Sequence, residues 1–152
     1  MNKIVFVCTG NTCRSPMAKI IAENLIGSIT FDSAGIFAVE GDRIAANAQQ
    51  VLEEDDYTVG SFRSKRVQED LIIQADLILT MTKEQKEIIK TFFTGYSQKV
   101  YTLKEYTGCD EGTLDIHDPF GKSMDAYRET ASEIKEEIKR LRRKLVKKYR
   151  IE

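Results

Sequence analysis

Only three cysteines and one histidine occur in the 152 residues. Cys8, Cys13 and Cys109 make an odd count without metal-ligand spacing, which argues against a disulfide scaffold and against a bound metal. No signal-peptide pattern opens the chain, so this cysteine usage points to a reducing, cytoplasmic compartment. An apolar run of bilayer length is also lacking, and neither a repeat nor a low-complexity tract interrupts the sequence. The formal net charge is −1, so no general field pulls the protein toward nucleic acid or a membrane. Neither is expected as a partner.

What is present is ordinary globular material. Hydrophobic residues make up 41% and charged residues 31%, enough in a chain of this length to bury one full core. A single domain over residues 1–152 is expected. Apolar runs at Lys3–Val7, Ile29–Phe31, Leu77–Thr80 and Val100–Leu103 predict strands, and Ile44–Glu54 and Glu84–Phe93 have helical spacing. Strands alternating with helices imply an α/β fold of three α/β/α layers around a central four-stranded parallel sheet. The ligand site of such a sheet lies at the C-terminal ends of its strands.

The last helix is marked by Met124, Tyr127, Ala131, Ile134, Ile138, Leu141 and Leu145, which form one apolar stripe behind Ser123 as N-cap. Its basic end (Arg140, Arg142, Arg143, Lys144, Lys147, Lys148) complements the helix dipole and reads as a solvated face. The stripe could serve dimerisation, but packing on the sheet is the default, and a monomer is expected without following from it.

Residues 4–15 carry the chemistry. Ile4, Val5, Phe6 and Val7 form a β-branched, apolar strand that ends on Cys8. Gly10 and Asn11 then supply turn chemistry, Arg14 and Ser15 follow, and Met17–Ala22 has helical composition. A loop running into a helix N-terminus gathers unpaired backbone N–H groups and partial positive charge at one point, a cradle for phosphate. Arg14 adds a planar fork for two phosphate oxygens. The same field stabilises a thiolate at Cys8, placing a nucleophile at the centre of an anion site. Five residues between Cys8 and Arg14 let the backbone curl once, and the Ser15 hydroxyl can donate to the sulfur. In-line attack on phosphorus would give a phosphocysteine.

A leaving group then needs a proton. Asp118 precedes Pro119, which restricts it to extended backbone, and a carboxyl fixed in a loop near a cleft can serve as general acid provided burial raises its pKa toward neutrality. His117 beside it is expected to be a solvated loop residue.

The segment Val7-Cys8-Thr9-Gly10-Asn11-Thr12-Cys13-Arg14-Ser15-Pro16-Met17-Ala18, with Ser33-Ala34-Gly35, Ala75–Met81 and Asp118-Pro119 in that order, resembles the low-molecular-weight protein tyrosine phosphatases along essentially the whole chain. The resemblance implies a protein phosphatase acting on phosphorylated protein substrates without a cofactor. It implies Cys8 as nucleophile, Arg14 as phosphate clamp and Asp118 as general acid. Thr9, Gly10, Asn11, Thr12 and Cys13 would form the phosphate loop, with Asn11, Ser15 and Ser33 holding its shape. Asn11 suits its place because asparagine tolerates the left-handed conformation. Phe62 stands where many family members have a histidine supporting this network, which leaves the support open.

Thr12 bears on the substrate. Tyrosine-specific members usually have isoleucine there, packed beside the aromatic ring, whereas Cys-Thr-Gly-Asn-Thr-Cys-Arg-Ser is similar to the bacterial protein-arginine phosphatases of the family. A phosphorylated guanidinium is polar and planar, and Phe37 and Phe120 are candidates to flank it. Tyrosine phosphatase activity is the alternative. Thiol-dependent arsenate reductases share the fold but need two further cysteines, and this chain has only Cys109, in the polar loop Thr107–Gly112. A non-catalytic phosphate-binding module would need neither the thiol nor the carboxyl.

Cys13 shares the loop with Cys8. A curled loop could bring the sulfurs together, so that oxidation is trapped as a reversible disulfide. Otherwise Cys13 is a small buried filler.

Overall fold

Along the first strand, β1 (Lys3–Cys8), Ile4, Phe6 and Cys8 face one side of the sheet and Val5 and Val7 the other, the period-two alternation of a strand covered on both faces. The computed structural model describes residues 1–109 and 112–150. Asp110 and Glu111 of the Cys109 loop, and the last two residues of the expected domain, lie outside the described residues. Three further strands, β2 (Thr30–Gly35), β3 (Leu77–Thr80) and β4 (Val100–Thr102), complete a four-stranded parallel sheet in the order β2-β1-β3-β4. Parallel strands require crossovers, and helices supply them.

On the Phe6 side pack α1 (Arg14–Leu25), α2 (Ala46–Glu54) and the long α6 (Met124–Tyr149), through Met17, Ile21, Leu52, Ile134, Ile138 and Leu141 among others. Phe6 itself stacks on Phe31, ring centroids 5.8 Å apart, and is wholly buried. Such a burial contributes on the order of 1.5–3 kcal/mol. The Val5 side takes α3 (Glu69–Gln74) and α4 (Lys83–Phe92) through Ile72 and Ile89. The fold is the expected three-layer α/β/α, and no described helix is long and apolar enough to cross a membrane.

Several boundaries differ from the sequence expectation, each for a local reason. β2 continues past Phe31 to Gly35, because Asp32 and Ser33 find polar partners (Asp32 with Lys3 and Lys65, Ser33 with Asn11) instead of breaking the strand. β4 stops at Thr102, where a reciprocal capping box between Thr102 and Glu105 starts the five-residue α5 (Leu103–Thr107) and takes Leu103 from the strand. The same device, Thr82 with Gln85, sets the start of α4. Ser123 caps α6 as expected, its hydroxyl accepting from Ala126 N–H. The apolar stripe from Tyr127 to Leu145 is buried against the rest of the protein.

Chain direction places the site. From β1 the chain passes to β2 on one side, and later to β3 on the other. The loops leaving β1 and β3 therefore diverge and open a crevice at the C-terminal edge. Cys8 is the last residue of β1, at the head of that crevice.

Candidate active site

Residues 9–13 curl between β1 and α1, and the helix begins at Arg14, earlier than its apolar residues suggest. Its N-cap, Cys13, forms no side-chain capping bond, and its first turn holds no acidic residue. The α1 N-terminus thus keeps unpaired N–H groups and positive partial charge for an external anion. Above it lies a cavity of about 230 Å³ lined by Cys8, Thr9, Gly10, Thr12, Cys13, Arg14, Asp118 and Phe120. The loop, Arg14 and Asp118, expected from the sequence as phosphate cradle, clamp and acid, line one cavity.

The curl is held from behind. Asn11 is wholly buried with φ of 57°, the left-handed conformation its side chain tolerates. Its Oδ1 accepts the Lys65 N–H at 3.0 Å, which fixes the amide orientation. Nδ2 then donates to Ser15 Oγ at 2.8 Å and to Ser33 Oγ at 3.0 Å. Its carbonyl accepts from Ser64 Oγ at 2.6 Å. Ser15 Oγ, already accepting from Asn11, lies 2.9 Å from Cys8 Sγ and 3.4 Å from the Ala34 carbonyl, and the Asn11 N–H also points at the sulfur, at 3.3 Å.

Phe62, in the place of the frequent histidine, is half-buried against the core. Ser64 and the backbone of Lys65, on the same segment, anchor Asn11 without an imidazole. Sequence reasoning missed both, and no pattern could have shown them. One acts through its main chain, and each sits more than fifty residues from its partner.

β2 closes the cage. Ile36 and Phe37 donate their N–H groups to the carbonyls of Cys8 and Thr9 at 3.0 and 2.9 Å. Gly35 lies so close that a Cβ there would stand 2.7 Å from Thr9 O and 2.9 Å from Asn11 N. That contact explains the glycine of Ser33-Ala34-Gly35, since no side chain fits between strand and loop.

Arg14 is 5% exposed. Its NH1 donates to the Ile116 carbonyl at 3.0 Å, and NH2 stands 3.5 Å from Asp118 Oδ2. Ile116 is fastened in turn by its N–H to Met81 O at 2.8 Å, just past β3. The expectation of a buried Asp118 is not met. Its side chain is 54% exposed and is ordered by the Phe120 N–H, which donates to Oδ1 at 3.0 Å. His117 is exposed, as expected, with Nε2 at 2.8 Å from Lys122 Nζ.

The aromatic residues divide. Phe120, 69% exposed, stands at the rim of the cavity. Phe37, 59% exposed, does not line it and faces a separate apolar depression with Val67, Ile88 and Phe92, against the sequence expectation. Its backbone, not its ring, serves the loop.

Cys13 is buried, with its sulfur 3.3 Å from Tyr127 Oη and 3.8 Å from Thr12 Oγ1. Burial pushes its thiol up from the ordinary value despite the Tyr127 hydrogen bond, which acts the other way. Cys109, half-buried, takes no part in the cavity.

Comparison with known proteins finds relatives along nearly the whole chain. Residues 3–151 match the family described as low molecular weight phosphotyrosine protein phosphatase. The chain is 42% identical over 151 residues to the protein-arginine-phosphatase of Bacillus subtilis, covering 97% of this chain and 99% of that relative. It is equally 42% identical over 132 residues to the low molecular weight protein-tyrosine-phosphatase PtpB of Staphylococcus epidermidis, covering 87% of this chain and 91% of that one. Among solved structures, YwlE arginine phosphatase from Geobacillus stearothermophilus superposes with a TM-score of 0.91 at 38% identity, covering 97% of this chain and 94% of that chain.

Proposed function

The chain belongs to the low-molecular-weight phosphotyrosine protein phosphatase family, and from that premise we propose that it hydrolyses phosphoarginine on proteins. Cys8 is the nucleophile, Arg14 the clamp and Asp118 the general acid. In the first step the Cys8 thiolate attacks phosphorus, the phosphorus–nitrogen bond breaks, and Asp118 delivers a proton to the leaving nitrogen. In the second, the Asp118 carboxylate takes a proton from water as its oxygen attacks phosphorus. The phosphorus–sulfur bond breaks, and the Ser15 hydroxyl supports the departing thiolate. Loop N–H groups and Arg14 hold the phosphoryl charge throughout, so no step requires a metal or cofactor.

Thr12 carries the choice of arginine. It lines the cavity, and the one partner of its hydroxyl among the described residues is a sulfur at 3.8 Å. A hydroxyl so weakly engaged is an acceptor for a guanidinium N–H, a donor that a phenyl ring lacks. The exposed face of Phe120 can stack on the same planar cation. Tyrosine remains the second reading, favoured by the equal identity to the staphylococcal tyrosine phosphatase. Matched phosphoarginine and phosphotyrosine peptides decide between them. Wild type should show the higher kcat/KM on phosphoarginine, and Thr12→Ile should move the ratio toward tyrosine by about tenfold or more. A wild-type preference for tyrosine would sink the arginine reading.

The same reading makes the protein a cytoplasmic monomer whose partners are phosphorylated proteins, not nucleic acid or membranes. It also gives Cys13 a use. Peroxide would convert the Cys8 thiolate to a sulfenic acid, and attack by the Cys13 sulfur would expel water and form a Cys8–Cys13 disulfide. Mass spectrometry after mild peroxide treatment should find that crosslink, with activity restored by dithiothreitol. Irreversible loss without the crosslink would make Cys13 a packing residue only.

A further inference from the structure

Gln85 lies outside the cavity yet is bonded to its wall. The residue is 4% exposed in the first turn of α4. Its Oε1 accepts the N–H groups of Met81 and Thr82, both at 3.0 Å, and its Nε2 lies 3.1 Å from Thr9 Oγ1. Backbone N–H groups are obligatory donors, so those two bonds establish which end of the amide is oxygen. The amide nitrogen therefore faces Thr9. An amide NH₂ cannot accept, so the Thr9 oxygen must be the acceptor. Thr9 is left with its own hydroxyl hydrogen, and no described residue accepts it. Thr9 is also exposed and lines the cavity beside Cys8.

We infer that Gln85 is a positioning residue that turns the Thr9 hydroxyl into a donor for an oxygen of the phosphoryl group bound over Cys8. The topology makes the pair possible. Thr9 is the first residue after β1 and Gln85 sits in the first turn after β3, neighbouring strands whose exits flank the crevice. One amide thus fastens the β3 exit to the phosphate loop and sets the polarity of a hydroxyl at the ligand. The assignment rests on reading the cavity as a phosphate site.

The test measures inorganic phosphate as a competitive inhibitor of aryl phosphate hydrolysis by the full chain, with thermal unfolding followed in parallel. Thr9→Val keeps the side-chain shape and loses the hydroxyl, and should raise the inhibition constant about tenfold. Thr9→Ser should restore it. Gln85→Glu retains an oxygen for the Met81 and Thr82 N–H groups but presents a second oxygen to Thr9, drawing the hydroxyl hydrogen away from the cavity. It should weaken phosphate to a similar degree in the wild-type background and add nothing in the Thr9→Val background. Equal effects of Gln85→Glu in both backgrounds would mean that its charge alone acts, and would overturn the assignment. So would a Thr9→Val enzyme inhibited as strongly as wild type, a result that stands even if Gln85→Glu fails to fold. Failure of phosphate to compete in the wild type would bring down the phosphate reading itself and this assignment with it. Intact competition with unmoved variants would remove only the role of the Thr9–Gln85 pair.

Discussion

Cys8→Ser is expected to lower kcat/KM by on the order of 10⁵-fold or more on phosphoarginine and aryl phosphates alike, while inorganic phosphate still binds. The two outcomes separate because the site divides the work. In the proposed reading, anion binding belongs to the uncapped α1 terminus, the loop N–H groups and Arg14, and a serine oxygen at position 8 can still accept the Asn11 N–H that meets the sulfur. The cage around Asn11 is built on Ser15, Ser33, Ser64 and Lys65 and likewise stays intact. Attack is another matter. An alcohol holds its proton far more tightly than a thiol, and the side chain hydrogen-bonded to position 8 is the Ser15 hydroxyl, which is no base. Single-turnover kinetics and phosphate titration read the two quantities separately. A variant with near-normal turnover would end the case for Cys8 as nucleophile.

Asp118→Asn should slow hydrolysis of phosphoarginine peptides by roughly 10²–10⁴-fold and of activated aryl phosphates far less. The substitution is close to isosteric. An asparagine oxygen can still accept the Phe120 N–H that orders the side chain at 3.0 Å, so the loop keeps its shape while the transferable proton is lost. A leaving group that departs readily as an anion does not need that proton, whereas a poor one does. Equal losses on good and poor leaving groups would remove Asp118 from the acid role. They would instead assign the effect to its charge beside Arg14, 3.5 Å away.

The residues lining the cavity are more legible in the sequence than the scaffolding that holds them. The loop from Cys8 to Arg14 announces itself because strand, turn and helix signals are compressed into a dozen residues. β1, β3 and α6 are equally plain, since continuous burial or a single apolar stripe leaves no other reading. β2 was truncated in the expectation because its polar residues are satisfied by distant partners, which periodicity cannot express. The six-residue α3 is too short to show a helical period. α5, shorter still, could have been found from the Thr102-x-x-Glu105 capping signature. Phe37 illustrates the opposite error. A phenylalanine just past Ser33-Ala34-Gly35 invites a substrate role, but its ring lines a separate depression with Val67, Ile88 and Phe92. Gln85 also carried a visible signature, as the fourth residue of a Thr82-x-x-Gln85 box. Only the fold shows that its amide reaches Thr9.

The cage around Asn11 has a consequence for the order of events during synthesis. The nascent chain carries the whole Cys8–Arg14 segment almost at once, yet Ser33 arrives later and Ser64 and Lys65 later still. Until that last segment has emerged and docked, the buried left-handed turn at Asn11 lacks the partners that offset its strain. The Ile116 carbonyl that steadies Arg14 emerges after all of them. A ribosome-bound or truncated chain would therefore hold the full motif without the partners that fix its shape. The loop is among the first segments to be made, yet the partners that shape it are spread over most of the chain.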